Sequence, residues 1–230
     1  MNPTKRSLSD YSPLRALVPL CLALLLMAVA SPASQVFRYR EQTGDDSFTF
    51  SWQADREQDG VTVVQHQGDE IFSSVNTMDG TTLSWQYVKQ PDTDVRVERQ
   101  GESLRFRGRF AGQPVDRTQA IDARPWCQPL SFSLQRMVSR DQRTATFWTI
   151  RPDTLEVLVM QAEKTGSDRI ATDSGTVQAA DKVVIRLEGL LAPLWQAEYW
   201  FRQGDHLFLQ YRSIHGPPGT AETRICLISP

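Results

Sequence analysis

Residues that carry chemistry are scarce in this chain of 230 residues. Its three histidines, His66, His206 and His215, fall in separate stretches with no cysteine or acid at ligand spacing, so no metal centre is expected. No Gly-x-Ser-x-Gly elbow is present, and a Ser-His-Asp triad assembled from scattered residues has nothing to support it. Glycine-rich phosphate loops and dinucleotide fingerprints are also missing. Paired carboxylates in a cleft are not signalled. These absences leave no catalytic, cofactor-binding or metal-binding residue to nominate, and the chain reads as a non-enzyme without a cofactor.

Cysteine is equally sparse: Cys21, Cys127 and Cys226. The long apolar run, Ala16 to Ala30, follows Lys5, Arg6 and Arg15 and is followed by Ser31-Pro-Ala33. A basic start, an apolar stretch of about 15 residues and small residues at Ala28-Val29-Ala30 read as a secretory signal peptide over 1–30, cleaved near Ala30 or Ala33. The run falls short of the ~20 residues that cross a bilayer, so a retained anchor is the lesser alternative. Leu20 precedes Cys21 where a lipoprotein signal wants a small residue, so Cys21 reads as ordinary signal sequence. The mature chain, 34–230, is expected as a single periplasmic domain. In an oxidising compartment a Cys127–Cys226 bridge is favoured over two independent buried thiols.

Removing 1–30 leaves 22 Lys/Arg against 26 Asp/Glu, a net charge of −4. The basic residues are dispersed among acids, which argues against a nucleic-acid partner. Arg105, Arg107 and Arg109 do form a row opposite Leu104, Phe106 and Phe110. A solvated strand face, with Glu98 on the neighbouring strand as a partner, explains that row without a ligand.

What the mature region has in quantity is alternation. Phe48, Phe50 and Trp52 line one face of 47–54, and Leu83, Trp85 and Tyr87 one face of 81–90. Further strands are expected at 36–41, 61–67, 70–76, 95–100, 103–110, 143–150, 155–165, 168–173, 183–187 and 222–228, with Gly or Pro between most of them. The pattern lapses from Ala111 to Pro129, which reads as a long irregular connection. Leu130, Leu134, Met137 and Val138 then fall at helical spacing. That amphipathic helix reads either as a plug for a curved sheet or as a cover for one of its edges. The fold class is mainly β: an antiparallel meander curled into a closed or half-open barrel with one short helix.

A hairpin over 195–213 is the most regular stretch, with a corner at Gly216-Pro217-Pro218-Gly219 after it. A two-residue turn at Gly204-Asp205 pairs Phe201 with Phe208. A three-residue loop, Arg202 to Gly204, instead pairs Tyr199 with Leu207, Ala197 with Leu209 and Trp195 with Tyr211, which unites the two apolar rows. The second register is expected, and it strands Trp200 and Phe208 on the polar face as an aromatic partner surface. The remaining aromatic mass is either a packed core or the wall of a cavity for an apolar ligand. The wall residues are Phe48, Phe50, Phe106, Trp195, Tyr199 and Phe201, with Leu134 on the helix.

Pro125-Trp126-Cys127-Gln128, Phe147-Trp148 with Arg151-Pro152, Trp195-x-Ala197-Glu198-Tyr199-Trp200-Phe201-Arg202 and Gly216-Pro217-Pro218-Gly219 resemble the exported bacterial group called domain of unknown function 3108. The resemblance is clearest over 120–230. It implies a periplasmic, barrel-like, mostly antiparallel fold and brings no catalytic residues. In architecture the chain is also similar to the unclosed barrels of lipoprotein-localisation carriers, a fold analogy that does not fix function. Two roles follow as expectations: a periplasmic carrier of an apolar or lipid-like molecule, or an envelope assembly factor working through protein contacts.

Overall fold

The computed structural model describes residues 35–173, 175–189, 195–214 and 220–229. The expected signal peptide and its cleavage sites, Cys21, His215 and the corner at 216–219 lie outside those residues.

From Ser34 onward the chain forms one compact unit. Alternating apolar residues build β1 (Gln35–Thr43), β2 (Asp46–Arg56), β3 (Val61–Gln67), β4 (Glu70–Asn76), β5 (Thr82–Lys89), β6 (Thr93–Arg99) and β7 (Ser103–Phe110). After β8 (Gln113–Ala120) come α1 (Leu130–Ser139), β9 (Thr144–Ile150), β10 (Val157–Ala171), β11 (Val177–Leu187), β12 (Gln196–Arg202), β13 (Phe208–Ile214) and β14 (Glu222–Ser229). All fourteen strands share one antiparallel sheet, ordered β8-β7-β6-β5-β4-β3-β2-β1-β14-β13-β12-β11-β10-β9. The sheet is not closed: β8 and β9 are its two edges.

β8 corrects the expectation of an irregular 111–129 connection. An edge strand exposed on both faces has no hydrophobic alternation to betray it, and Pro114 is tolerated because an edge leaves one side of the ladder unpaired. β8 also supplies the partner of Arg105, which pairs with Asp116, while Glu98 pairs with Arg96 at 2.8 Å. The strands expected at 155–165 and 168–173 are one strand of 15 residues, β10, carrying an irregularity between Lys164 and Gly166.

The chain between β8 and α1 draws distant parts of the sheet together. Trp126 bridges Trp148 in parallel, with Cys127 N–H donating to the Trp148 carbonyl at 2.9 Å and Trp148 N–H to the Pro125 carbonyl at 2.8 Å. On its other side the Trp126 carbonyl accepts from Thr82 N–H at 2.7 Å, at the start of β5. This segment covers edge β9, while α1 plugs the interior, so the two roles weighed for the helix are divided between neighbours. Phe132, Leu134, Met137 and Val138 of α1 join a core with residues of β1–β3 and β9–β14. Trp126, fully buried, centres a second core with Trp85, Val95, Val97, Leu104 and Phe106.

At the β4–β5 turn α1 comes very close: Ser133 Oγ donates to the Gly80 carbonyl at 2.7 Å. A Cβ on Gly80 would sit 3.1 Å from Arg136 Cβ and 3.2 Å from Ser133 Cα, and Gly80 has φ +90°. Glycine is required there for both reasons.

The β12–β13 register is not the expected one. Phe201 pairs with Phe208 and Tyr199 with Tyr211, with an irregularity between Trp200 and Phe201. The loop is longer than three residues: Arg202 N–H donates to the Leu207 carbonyl at 2.8 Å, and Gly204 and His206 both take positive φ. One extra residue in β13 then restores alternation, so Phe208 and Tyr211 both face inward. Phe208 is 7 % exposed and touches the Tyr39, Tyr199 and Phe201 rings. Trp200 does face outward, yet it is only 3 % exposed. Its indole N–H donates to Asp168 on β10 at 2.8 Å, and Lys182 and Arg212 approach its ring. The β10–β11 hairpin covers it. The expected exposed aromatic pair is therefore absent.

The expected disulfide is also corrected. Cys127 and Cys226 are both free thiols. Cys127 is buried in the interior core, whereas Cys226 shares the outward row of β14, paired with Gln210 and Arg40, so the wall of the sheet lies between them.

Candidate functional site

The inner face of β1–β5 changes character along its length. At the end nearest α1 it is closed by Phe37, Tyr39, Phe50, Trp52, Val61 and Val63, all buried. Two residues further along each strand, toward the β1–β2 and β3–β4 turns, the same face carries Glu41, Phe48, Gln65 and Gln67, with Phe72 and Glu70 on β4. None of these six is buried, and Phe48 is 38 % exposed. The sheet is longer than its plug. α1 fills one end and leaves the other end of the inner face accessible.

That accessible end is aromatic beneath and polar at its rim. Phe72 stacks on Tyr87 at 4.6 Å, and Tyr87 touches Phe110. Tyr211 reaches it from β13, edge-on to Tyr199 at 5.0 Å. Burial pushes the Tyr211 phenol up to about 12, with the Glu41 charge adding a little. Burial first, and the Glu70 charge second, hold the Glu41 carboxyl above its ordinary value. Glu70 itself pairs with Lys89 at 2.7 Å. Gln65 Nε2 donates to Gln67 Oε1 at 3.0 Å.

The expected wall residues divide three ways. Phe50, Tyr199, Phe201 and Leu134 are brought together in the main core, with Trp195 packed at its margin. Phe106 belongs to the other core, beneath the Arg117 guanidinium at 4.2 Å. Phe48 lies at the accessible end. Glu41, Gln65, Gln67 and Phe72 were not singled out from sequence, although the alternation that points Phe48 inward points Phe72 the same way once the register is known; Tyr211, expected on the inward row of the hairpin, is found there.

A second concavity lies on the outer face. Arg40 and Gln42 on β1 face Cys226 and Arg224 on β14, and Ala171–Asp173 with Gly175 from the tip of the β10–β11 hairpin roof them over. The cleft is open to solvent on one side and holds about 280 Å³. Arg40 pairs with Asp173 at 2.8 Å, and Arg224 donates to Gln210 Oε1 at 3.1 Å. Burial raises the Cys226 thiol above its ordinary value, only partly opposed by Arg224 and Arg40. Among the described residues no cluster of His, Cys, Asp and Glu is arranged to hold a metal ion.

No family model matches the chain, and no curated protein matches it. A solved structure does. The chain is similar to a crystal structure of a β-barrel-like protein of the domain of unknown function DUF1849 from Brucella abortus, with a TM-score of 0.58 over 84 % of this chain and 95 % of that one. At 8 % identity the likeness shows the fold alone. The barrel-like architecture implied by the sequence resemblance is thus supported. The particular group that the motifs resemble is not supported by it.

Proposed function

We propose that the mature chain is a non-enzymatic, exported binding protein for an apolar or lipid-like molecule, held at the accessible end of the inner face. The observation that carries this reading is the mismatch between sheet and plug: an inward aromatic face continues past the residues α1 covers and ends in Phe48, Phe72 and Tyr87 under a polar rim. An apolar floor with a few polar groups at its mouth suits a molecule with a hydrocarbon body and a polar end. The test is titration of delipidated mature protein with a fluorescent fatty acid and a fluorescent phospholipid. Saturable binding weakened by Phe48→Glu is the expected result. No saturable binding of either probe overturns the reading.

Export is part of the same proposal and rests on the pattern of residues 1–30. Protein released from the periplasm by osmotic shock is expected to begin at Ser31 or Ser34. The alternative, an envelope assembly factor acting through protein contacts, is second because Trp200 and Phe208 are buried.

A further inference from the structure

The outer cleft between β1, β14 and the β10–β11 hairpin has a built-in occupant. Its floor is a square of residues on two paired strands: Arg40 opposite Cys226, and Gln42 opposite Arg224. The two arginines sit on one diagonal, close enough for one small ligand to reach both. Over them lies the Asp173 carboxylate, seated on Arg40 at 2.8 Å. The hairpin thus supplies an oxyanion in the position where an arginine fork receives one.

We propose that this cleft is a site for a phosphate-type oxyanion, gripped by Arg40 and Arg224, with Asp173 as the internal group it displaces. Several features favour it. The space of about 280 Å³ admits a phosphate with part of an attached group. Both side chains of the Arg40–Asp173 pair keep some solvent exposure, 47 % and 27 %, so the pair is weak and readily exchanged. Arg224 donates to the neutral amide of Gln210 and lies against the Cys226 thiol, and among the described residues no carboxylate is seated on it, which leaves its charge for a ligand. Arg over Lys at both positions suits planar, two-point recognition of phosphate oxygens. Asp168 on Trp200 anchors the hairpin below its tip, so displacing Asp173 does not release the whole hairpin.

The test uses the mature protein with inorganic phosphate, and in a parallel arm vesicles of phosphatidylcholine with and without phosphatidylglycerol. Two readouts are followed: binding by calorimetry or co-sedimentation, and the rate at which a maleimide labels Cys226 on the cleft floor. Saturable binding that slows Cys226 labelling is expected. Arg224→Gln should weaken it at least tenfold, and Asp173→Asn should strengthen it several-fold by removing the competitor. Binding of free phosphate points to a soluble ligand, and binding only to phosphatidylglycerol vesicles to a lipid headgroup. The proposal is overturned by the absence of binding in both arms, by unchanged affinity in Arg224→Gln, or by weaker binding in Asp173→Asn. Arg40→Gln, also on the surface, repeats the loss independently should Arg224→Gln not fold. Fatty-acid binding at the inner face is measured on the same samples, so either reading can fail alone.

Discussion

Replacing Trp200 tests whether the β10–β11 hairpin packs on the outer wall of the sheet or leaves an aromatic surface free for a partner. Trp200 is 3 % exposed, roofed by the hairpin, and donates to the Asp168 carboxylate at 2.8 Å. Truncating a buried Trp to Ala costs about 3–5 kcal/mol through lost burial and the cavity left behind. A hydrogen bond to a charged acceptor contributes about 1.5–3 kcal/mol, so Trp200→Phe, which keeps most of the ring area, should show roughly that fraction alone. For a domain of this size about 1 kcal/mol moves the melting temperature by ~2–4 °C, so Trp200→Ala should melt on the order of 10 °C lower. Leu83, 45 % exposed, is the control: Leu83→Ala should stay within about 0.5 kcal/mol of the parent. Urea unfolding followed by far-UV circular dichroism is the assay, because removing an indole alters the fluorescence signal itself. A double-mutant cycle with Asp168→Ala then isolates the hydrogen bond. If Trp200→Ala lies within about 1 kcal/mol of the parent protein, the hairpin does not seat on Trp200, and the partner-surface reading regains its residue.

Gly80→Ala is expected to destabilise by more than the ~1 kcal/mol of an ordinary glycine substitution, because φ +90° and the approach of α1 both oppose a side chain; unchanged urea midpoints would mean α1 does not dock at this turn. Unreduced mature protein, which lacks Cys21, should show two alkylatable thiols after unfolding and no mass deficit of two hydrogens. In the native state Cys226 should label first, since burial pushes the Cys127 thiol up to about 12; a mass two hydrogens lower would restore the disulfide. Glu41 has its carboxyl raised by burial and by Glu70, so its folded pKa exceeds its unfolded one and its ionised form weakens the fold. Glu41→Gln should therefore raise the urea midpoint near neutral pH, with the gain lost as pH falls through the raised folded pKa and gone below about 4.3, where the group is protonated in both states. An equal gain at both pH values would show that Glu41 acts through packing and not through its charge.

The readable parts of the sequence were those in which one face is buried. Phe48-x-Phe50-x-Trp52 and Trp85-x-Tyr87 announce their strands, and Leu130, Leu134, Met137 and Val138 announce α1, because burial of one face imposes its period on the residues. β8 was illegible for the converse reason: both its faces meet solvent, so nothing selects an alternation. The covered Trp200 was illegible because its cover comes from a hairpin whose base is more than thirty residues away in sequence. The accessible end of the inner face was half legible. Alternation placed Phe48 inward, but only the position of α1 shows that the helix does not reach the space beside it.

The β12–β13 register shows how far pattern can go. Counting from the loop, Phe208 matches the parity of Phe201, while counting back from the far end, Tyr211 matches Tyr199. The two parities disagree within β13, since residues 208 and 211 fall on opposite faces of a regular strand. Choosing one register throughout sacrifices one aromatic to solvent, and the sequence reading sacrificed Phe208. The chain instead places one extra residue between the two anchors, which buries Phe208 at 7 % and Tyr211 at 7 % exposure. Two inward aromatics at odd spacing in one strand, each with a partner across the hairpin, are thus themselves the signature of a bulge. Phe208→Ser should test this directly: Phe208 is buried against Tyr39, Tyr199 and Phe201, so the loss is of core size, about 3–5 kcal/mol, where an exposed residue would lose almost nothing.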